Sequence, residues 1–407
     1  MIYLLKIIYF GFVNFLVKKE DDMKNYDVVI IGCGASGCMA ALNCKNKKVA
    51  VIDLNTKPAK KLLATGNGRC NITNKNIDSC FYNQNIDGYL NRFNQFDTLK
   101  FFNSLGLETY FDEEGRCYPI SNSAKSVVDV LTNNIVKKAD LFLQEKVCDV
   151  ICEKTNGRAK FFIKTDKDVY CCNKLVVACG SGDVLKVIAR LNVKTKPFVS
   201  SLVSLKSSQI KDLNGIKVSD VIVTATNGKQ IVAERGEVLF KDGGLSGIVI
   251  FNLSSLFSRN GSFVGEVSID LLPDVSKQDL ILKLQKRKEL NVSVDKFFVG
   301  FFQNALANEV FKQAHINTNL ISTKLTNKQI EDMAHAIKGL KFGVNGAFDN
   351  NQVNSGGVCI GDLDGNLMSL KTPNLFFCGE VCDVDGVCGG YNLQWAWTSG
   401  KIVGDSL

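Results

Sequence analysis

YDVVIIGCGASGCMAALNCKNKKVAVID, residues 26–53, reads as a buried strand, a glycine turn, a helix and a second strand that ends on a carboxylate. Residues 28–31 are a short apolar run of the kind a parallel sheet buries on both faces, and residues 49–52 repeat it. Between them Gly32, Gly34 and Gly37 stand at G-x-G-x-x-G spacing. The first glycine allows a tight turn, the second lets a pyrophosphate approach the backbone, and the third lets helix and strand pack closely. Ala35 and Ser36 open the helix, whose free N–H groups favour an anion. Asp53, 16 positions after Gly37, is placed to accept hydrogen bonds from an adenosine ribose. The stretch predicts an α/β dinucleotide-binding fold. The competing reading is a glycine-rich turn with a packing role only.

A chain of 407 residues should form two or three domains at about 150 residues each. Its 45% hydrophobic and 22% charged residues are those of an ordinary globular protein, and no low-complexity tract suggests disorder. The net charge of +8 comes from dispersed lysines, which favours a solvated surface over a nucleic-acid groove. Fifteen cysteines occur without a single C-x-x-C and beside only two histidines, which argues against zinc and for reduced thiols in a cytoplasmic protein. Residues 1–17 are mostly apolar, yet short for a membrane span. Met23 directly precedes the first strand, so Met23 is expected to be the true start, with residues 1–22 upstream sequence read in frame or a leader. A retained membrane anchor is the alternative.

After Asp53 comes a lysine-rich turn, residues 57–61, which makes Lys61 a further candidate, and then LLATGNGRCNITN at 62–74. This second stretch suits neither helix nor strand and is rich in hydrogen-bonding groups, so it reads as a loop folded over a ligand or as an ordinary surface loop. Helical patterns follow at 97–105 and 123–138, then a small antiparallel meander over 147–151, 159–165 and 169–172. Residues 175–178 form another apolar strand, whose end at Ala178 and Gly180 would bring backbone close to the same dinucleotide. From about residue 191 the patterns turn β-rich, with strands at 202–206, 218–225, 230–240 and 262–270 and a glycine turn feeding a buried helix at 243–257. Three helices follow at 276–290, 293–314 and 326–338, with Thr326 and Gln329 as a capping box. The phenylalanines at 297, 298, 301, 302 and 311 read as core, and His315 and His335 as surface or capping residues. The tail returns to nucleotide-fold chemistry: a strand at 375–377, Gly379-Glu380, then a glycine-rich approach through Gly389 and Gly390 to a final helix. That helix start is a second anion-favouring site.

Taken together, G-C-G-A-S-G, G-N-G-R-C-N-I-T-N at 66–74, G-G-L-S-G at 243–247 and C-G-E-V-C-D-V-D-G-V-C-G-G-Y-N-L-Q-W-A at 378–396 resemble the BaiN/YhiN-type flavoproteins, which are NAD(P)/FAD-dependent or aminoacetone-oxidase-like oxidoreductases. The resemblance implies a glutathione-reductase-like FAD domain built from both chain ends, at 23–190 and 351–407. An inserted β-domain would occupy 191–272 and 339–350, with a helical subdomain nested at 273–338. It also implies that Gly32, Gly34, Ala35, Ser36 and Gly37 hold the pyrophosphate, Asp53 the ribose and the Val147 backbone the adenine. Arg69, Cys70 and Asn71 would line the flavin, and Glu380, Asn392 and Leu393 would contact its ribityl chain and ring, with Lys61, Ala178, Gly180, Gly379 and Gly390 beside them. The chain departs from the pattern in two places. The segment after residues 175–178 is cut to Gly180-Ser181-Gly182-Asp183, and the family's T-H-x-G-L-S-G-P block lacks histidine and proline at 241–248.

Three functions are compatible with these residues. The first is an FAD-dependent oxidoreductase for a small organic substrate, with NAD(P)H or oxygen as second redox partner. The second is a flavin enzyme that modifies nucleic acid such as tRNA, motivated by the positive charge. The third is a flavin-binding protein without turnover. No catalytic acid or base is nominated, and no metal site is expected.

Overall fold

The computed structural model describes residues 23–45, 48–155, 158–181, 184–349 and 353–407. The proposed leader, the anchor reading of residues 1–17, and Gly182-Asp183 of the shortened block lie outside them. No helix among the described residues is long and apolar enough to cross a membrane. The chain forms two compact units, one made of the chain up to Phe198 together with Ser355–Leu407, the other of Val199–Asn354.

The first unit is built on a parallel sheet. Lys24–Ile31 lies between Val49–Asp53 and Val169–Val177, with Asp140–Leu143 beyond the former and Leu375–Phe377 beyond the latter. Val28, Val29 and Ile30 are fully buried, as strands covered on both faces must be. The apolar runs at 169–172 and 175–178 belong to one strand rather than two. Its first half pairs antiparallel with Arg158–Thr165, and its second half runs parallel to Leu375–Phe377. Asn173 is exposed, so the polar break in the pattern marks a change of surroundings and leaves the ladder intact. A three-stranded sheet of Thr73–Asn74, Thr109–Phe111 and Arg116–Pro119 escaped the periodicity, because strands of two to four residues are too short to show one.

The last helix, Tyr391–Ser406, packs on the first, Ala35–Asn43, at backbone distance. A Cβ at Gly400 would stand 2.5 Å from the Ser36 carbonyl oxygen, and one at Gly404 would stand 2.7 Å from that of Ala40. Early and late segments of the described chain are thereby joined. Lys174 adds a hydrogen bond from Nζ to the Leu407 carbonyl at 2.8 Å.

The second unit holds an antiparallel sheet in the order Leu340–Val344, Gly265–Asp270, Lys217–Asn227, Gln230–Lys241, Gly244–Ser246, Leu205–Lys206 and Gly346–Ala347. Helices Ile248–Arg259, Lys277–Lys288, Asn304–Gln313 and Asn327–Lys338 share one hydrophobic core with it. The capping box at Thr326 and Gln329 is formed. The expected helix over 293–314 is broken: a single turn at Val294–Lys296 is followed by Gly300 at φ +82° and an extended Gln303, and the helix starts at Asn304. The phenylalanine spacing reflects burial, since Phe297, Phe298 and Phe311 are all core residues. His315 and His335 are exposed.

Replacing Gly400 with Val should force the two terminal helices apart and destabilise the first unit by about 1–3 kcal/mol, measured as a lower urea midpoint. All fifteen cysteines are free, but only Cys80 and Cys148 are exposed. Brief alkylation of the native protein followed by peptide mass spectrometry should label these two ahead of Cys33, Cys38, Cys70, Cys117 and Cys378.

Candidate functional site

The three fingerprint glycines sit in different surroundings. Gly32 has φ +103°, and a Cβ there would lie 2.6 Å from the Ala178 carbonyl oxygen, so the turn rests directly on the end of strand Val169–Val177. At Gly37 a Cβ would fall 1.9 Å from the Gly32 carbonyl oxygen, which closes the turn on the helix. Gly34 is the helix N-cap at φ −78°, and a Cβ there would meet nothing within 4 Å. The first helical bond runs from Cys38 N–H to the Gly34 carbonyl, leaving the N–H groups of the first turn without helical partners. The Ser36 hydroxyl donates to the Cys378 carbonyl at 3.1 Å, so only its N–H remains for an anion.

Asp53 ends the second strand and grips this turn. One carboxylate oxygen accepts from Cys33 N–H at 2.6 Å, and the other accepts from the backbone and side-chain N–H groups of Asn55 at 2.6 and 2.9 Å. The Glu145 N–H donates to the Asp53 carbonyl, which brings the start of Val147–Thr155, and Val147 with it, beside the acid. Across the turn Lys61 and Glu380 form an ion pair at 3.6 Å next to Gly180, where a Cβ would stand 3.1 Å from the Glu380 carboxylate. The Lys61 side chain is largely exposed, so this pair contributes little to stability.

The loop of G-N-G-R-C-N-I-T-N and the approach to the last helix lock together. Gly390 caps that helix at φ +102°, and a Cβ there would lie 2.5 Å from the Thr73 carbonyl carbon. Asn74 donates to the Gly389 carbonyl at 3.0 Å, and Asn392 bridges the N–H and carbonyl of Gly386 at 2.9 and 2.8 Å. The Asn392 side chain therefore holds the glycine loop in shape. Leu393 is half-buried against the core. Gly379, at φ +79°, donates its N–H to Ser399 and leaves no room for a side chain beside Ser36.

Within the loop, Cys70 adopts φ +62° and is fully buried, and burial pushes its thiol up to about 12. The Arg69 guanidinium stacks 4.2 Å from the centre of the Tyr118 ring and donates to its hydroxyl at 3.3 Å. Asn71 is 8% exposed, and its Oδ1 is buried without a hydrogen-bond partner. An amide oxygen shut away from water in this way is poised for a donor that the described residues do not supply.

Some residues of this site were not foreseen. Gln394 is fully buried, accepts from Thr73 and Thr98 at 2.6 and 3.0 Å, and donates to Thr398 at 2.9 Å. It welds the two motif blocks together, and its place in G-G-Y-N-L-Q was the available signal. Tyr118 gave none, because its link to Arg69 is formed only in the fold. No cluster of metal-ligating side chains occurs among the described residues.

The HI0933-like protein Rossmann domain family matches residues 26–406. A 3-dehydro-bile acid delta(4,6)-reductase of Clostridium scindens is 33% identical, over 92% of this chain and 97% of the relative. A ribosomal RNA dihydrouridine synthase of Escherichia coli is 30% identical, over 93% of this chain and 96% of the relative. Among solved structures, the 3-ketosteroid delta1-dehydrogenase of Sterolibacterium denitrificans aligns with a TM-score of 0.48 at 11% identity, covering 94% of this chain and 99% of that one. The chain belongs to the HI0933-like family and is an FAD-dependent oxidoreductase.

Proposed function

We propose that this chain saturates a carbon–carbon double bond conjugated to a carbonyl group in a small organic substrate, with NAD(P)H as the electron source. The observation that carries the coenzyme-binding half is the unequal packing of the fingerprint glycines. Packing explains glycine at positions 32 and 37, but at Gly34 both the dihedral angles and the open space would admit a side chain. A ligand that approaches the backbone accounts for that glycine. The unpartnered Asn71 oxygen supports the same reading.

The backbone N–H groups of Ala35, Ser36 and Gly37 would hold the pyrophosphate, Asp53 the ribose, and Val147 the adenine. Lys61, Glu380, Ala178, Gly180 and Gly379 would flank the coenzyme, with Arg69, Cys70, Asn71, Gly390, Asn392 and Leu393 on the flavin side. When bound, the flavin would supply the hydride added to the double bond, and a proton from solvent or protein would complete the reduction. The N-terminus of Tyr391–Ser406 favours negative charge by about 0.3–1 kcal/mol, and Asn392 keeps the preceding loop in place for it. Burial of the Cys70 thiol disfavours the thiolate form that a nucleophile needs.

The relatives' names support the substrate class. A delta(4,6)-reductase acting on a 3-dehydro-bile acid and a dihydrouridine synthase differ in substrate size, yet both names denote removal of unsaturation conjugated to a carbonyl. RNA is therefore the second reading.

The purified protein should be yellow and release FAD on denaturation. NADPH or NADH should bleach it anaerobically, and a conjugated enone should restore the colour. Recovery with a uridine-containing RNA but no enone would select the second reading. Protein that neither carries nor takes up FAD would overturn the proposal. A separate test is Gly34→Thr, which suits the helix N-cap about as well as glycine: the melting temperature of the apoprotein should stay unchanged while FAD affinity falls by at least about tenfold, or about 1.4 kcal/mol, in a fluorescence titration.

A further inference from the structure

We propose that Lys206, Lys241 and Phe348, within the second unit, form a binding site for a phosphate group. The inference goes beyond the redox reading and does not depend on it. The short edge strands bring the three residues together: Lys206 pairs with Gly244 on one side and Gly346 on the other, and Gly244 pairs with Lys241 across a hairpin. Paired residues share a sheet face, and faces alternate along a strand. Lys206 and Lys241 therefore lie on one face, and Phe348, two positions beyond Gly346, joins them. The opposite face carries Leu205 and Leu245, both fully buried.

Gly244 makes the cluster possible. A Cβ there would stand 2.6 Å from Phe348 Cε2, so the ring descends onto the strand only where a side chain is missing. The Phe348 N–H donates to the Ser204 carbonyl at 3.0 Å and fixes the backbone of the platform. Lys241 Nζ lies 3.6 Å from the ring centre and Lys206 Nζ lies 5.5 Å from it.

Two ammonium groups held at one ring concentrate positive charge there, which a bound anion would offset. Some lysines of this unit sit against a carboxylate, as Lys217 does with Glu237, Lys338 with Asp270 and Lys341 with Glu266. Lys206 and Lys241 have no carboxylate partner among the described residues. Two separate point charges suit a tetrahedral phosphate, whose oxygens diverge, better than a planar carboxylate, for which the arginine fork is the match.

The test uses the full flavin-loaded protein in two arms at low salt: inorganic phosphate followed by calorimetry, and a short fluorescent oligouridylate followed by anisotropy. In whichever arm binds, the Lys206→Gln/Lys241→Gln double variant should lose at least about tenfold in affinity. For the oligonucleotide, the slope of log K against log salt should become shallower by roughly 1.4, at about 0.7 per lysine. A Lys211→Gln/Lys229→Gln variant, with the same net charge, should bind as the parent does. Binding of phosphate alone identifies a small phosphorylated ligand, and binding of the oligonucleotide identifies a nucleic-acid backbone. If neither probe binds, or if the double variant binds both with parental affinity, the site does not exist. Unchanged flavin absorbance in every variant keeps this outcome separate from any failure of the redox reading.

Discussion

The first unit depends on backbone meeting backbone at two places. At the first, Gly32 and Gly37 fold the turn onto the end of a central strand and onto itself. At the second, Gly400 and Gly404 let the last helix settle on the carbonyls of the first. Side chains at any of these four positions would push apart elements that carry the candidate ligands. Fully packed interiors transmit such displacements, because they have few voids in which to absorb them. These four glycines are therefore spacers of zero thickness, whereas Gly34 beside them is left with room.

Around that frame the polar groups are distributed economically. Asp53, Ser36, Asn392 and Gln394 all spend hydrogen-bonding capacity on the protein itself, tying turn to strand, helix to strand end, loop to loop. The result is a turn whose backbone N–H groups are fixed in place and would need no reorientation if charge arrived. Asn71 is the contrast: its oxygen is enclosed with no partner, within a loop held at both ends.

Much of this could be read from the residues. Periodicity and the glycine spacing gave the Tyr26–Asp53 region its strand, turn, helix and strand, because each signal there is local and agrees with its neighbours. The join between the first and last helices was legible only through the motif resemblance, since nothing local in Gly400 or Gly404 names its partner. The weld at Gln394 and the Arg69–Tyr118 stack depend on contacts between residues 49 or more positions apart. The helix expected over 293–314 failed for a different reason: the apolar stripe reported burial correctly, but Gly300 in a left-handed conformation ended the first turn.

The division of the chain has a consequence for biosynthesis. The unit of Val199–Asn354 is contiguous, whereas its neighbour needs the final 53 residues, Ser355–Leu407, to finish its sheet and cover its first helix. A ribosome therefore releases a complete middle before the beginning can close. Until Leu375–Phe377 emerges, the second half of strand Val169–Val177 keeps an unpaired flank, and the nascent protein carries that sticky border through nearly half of its translation.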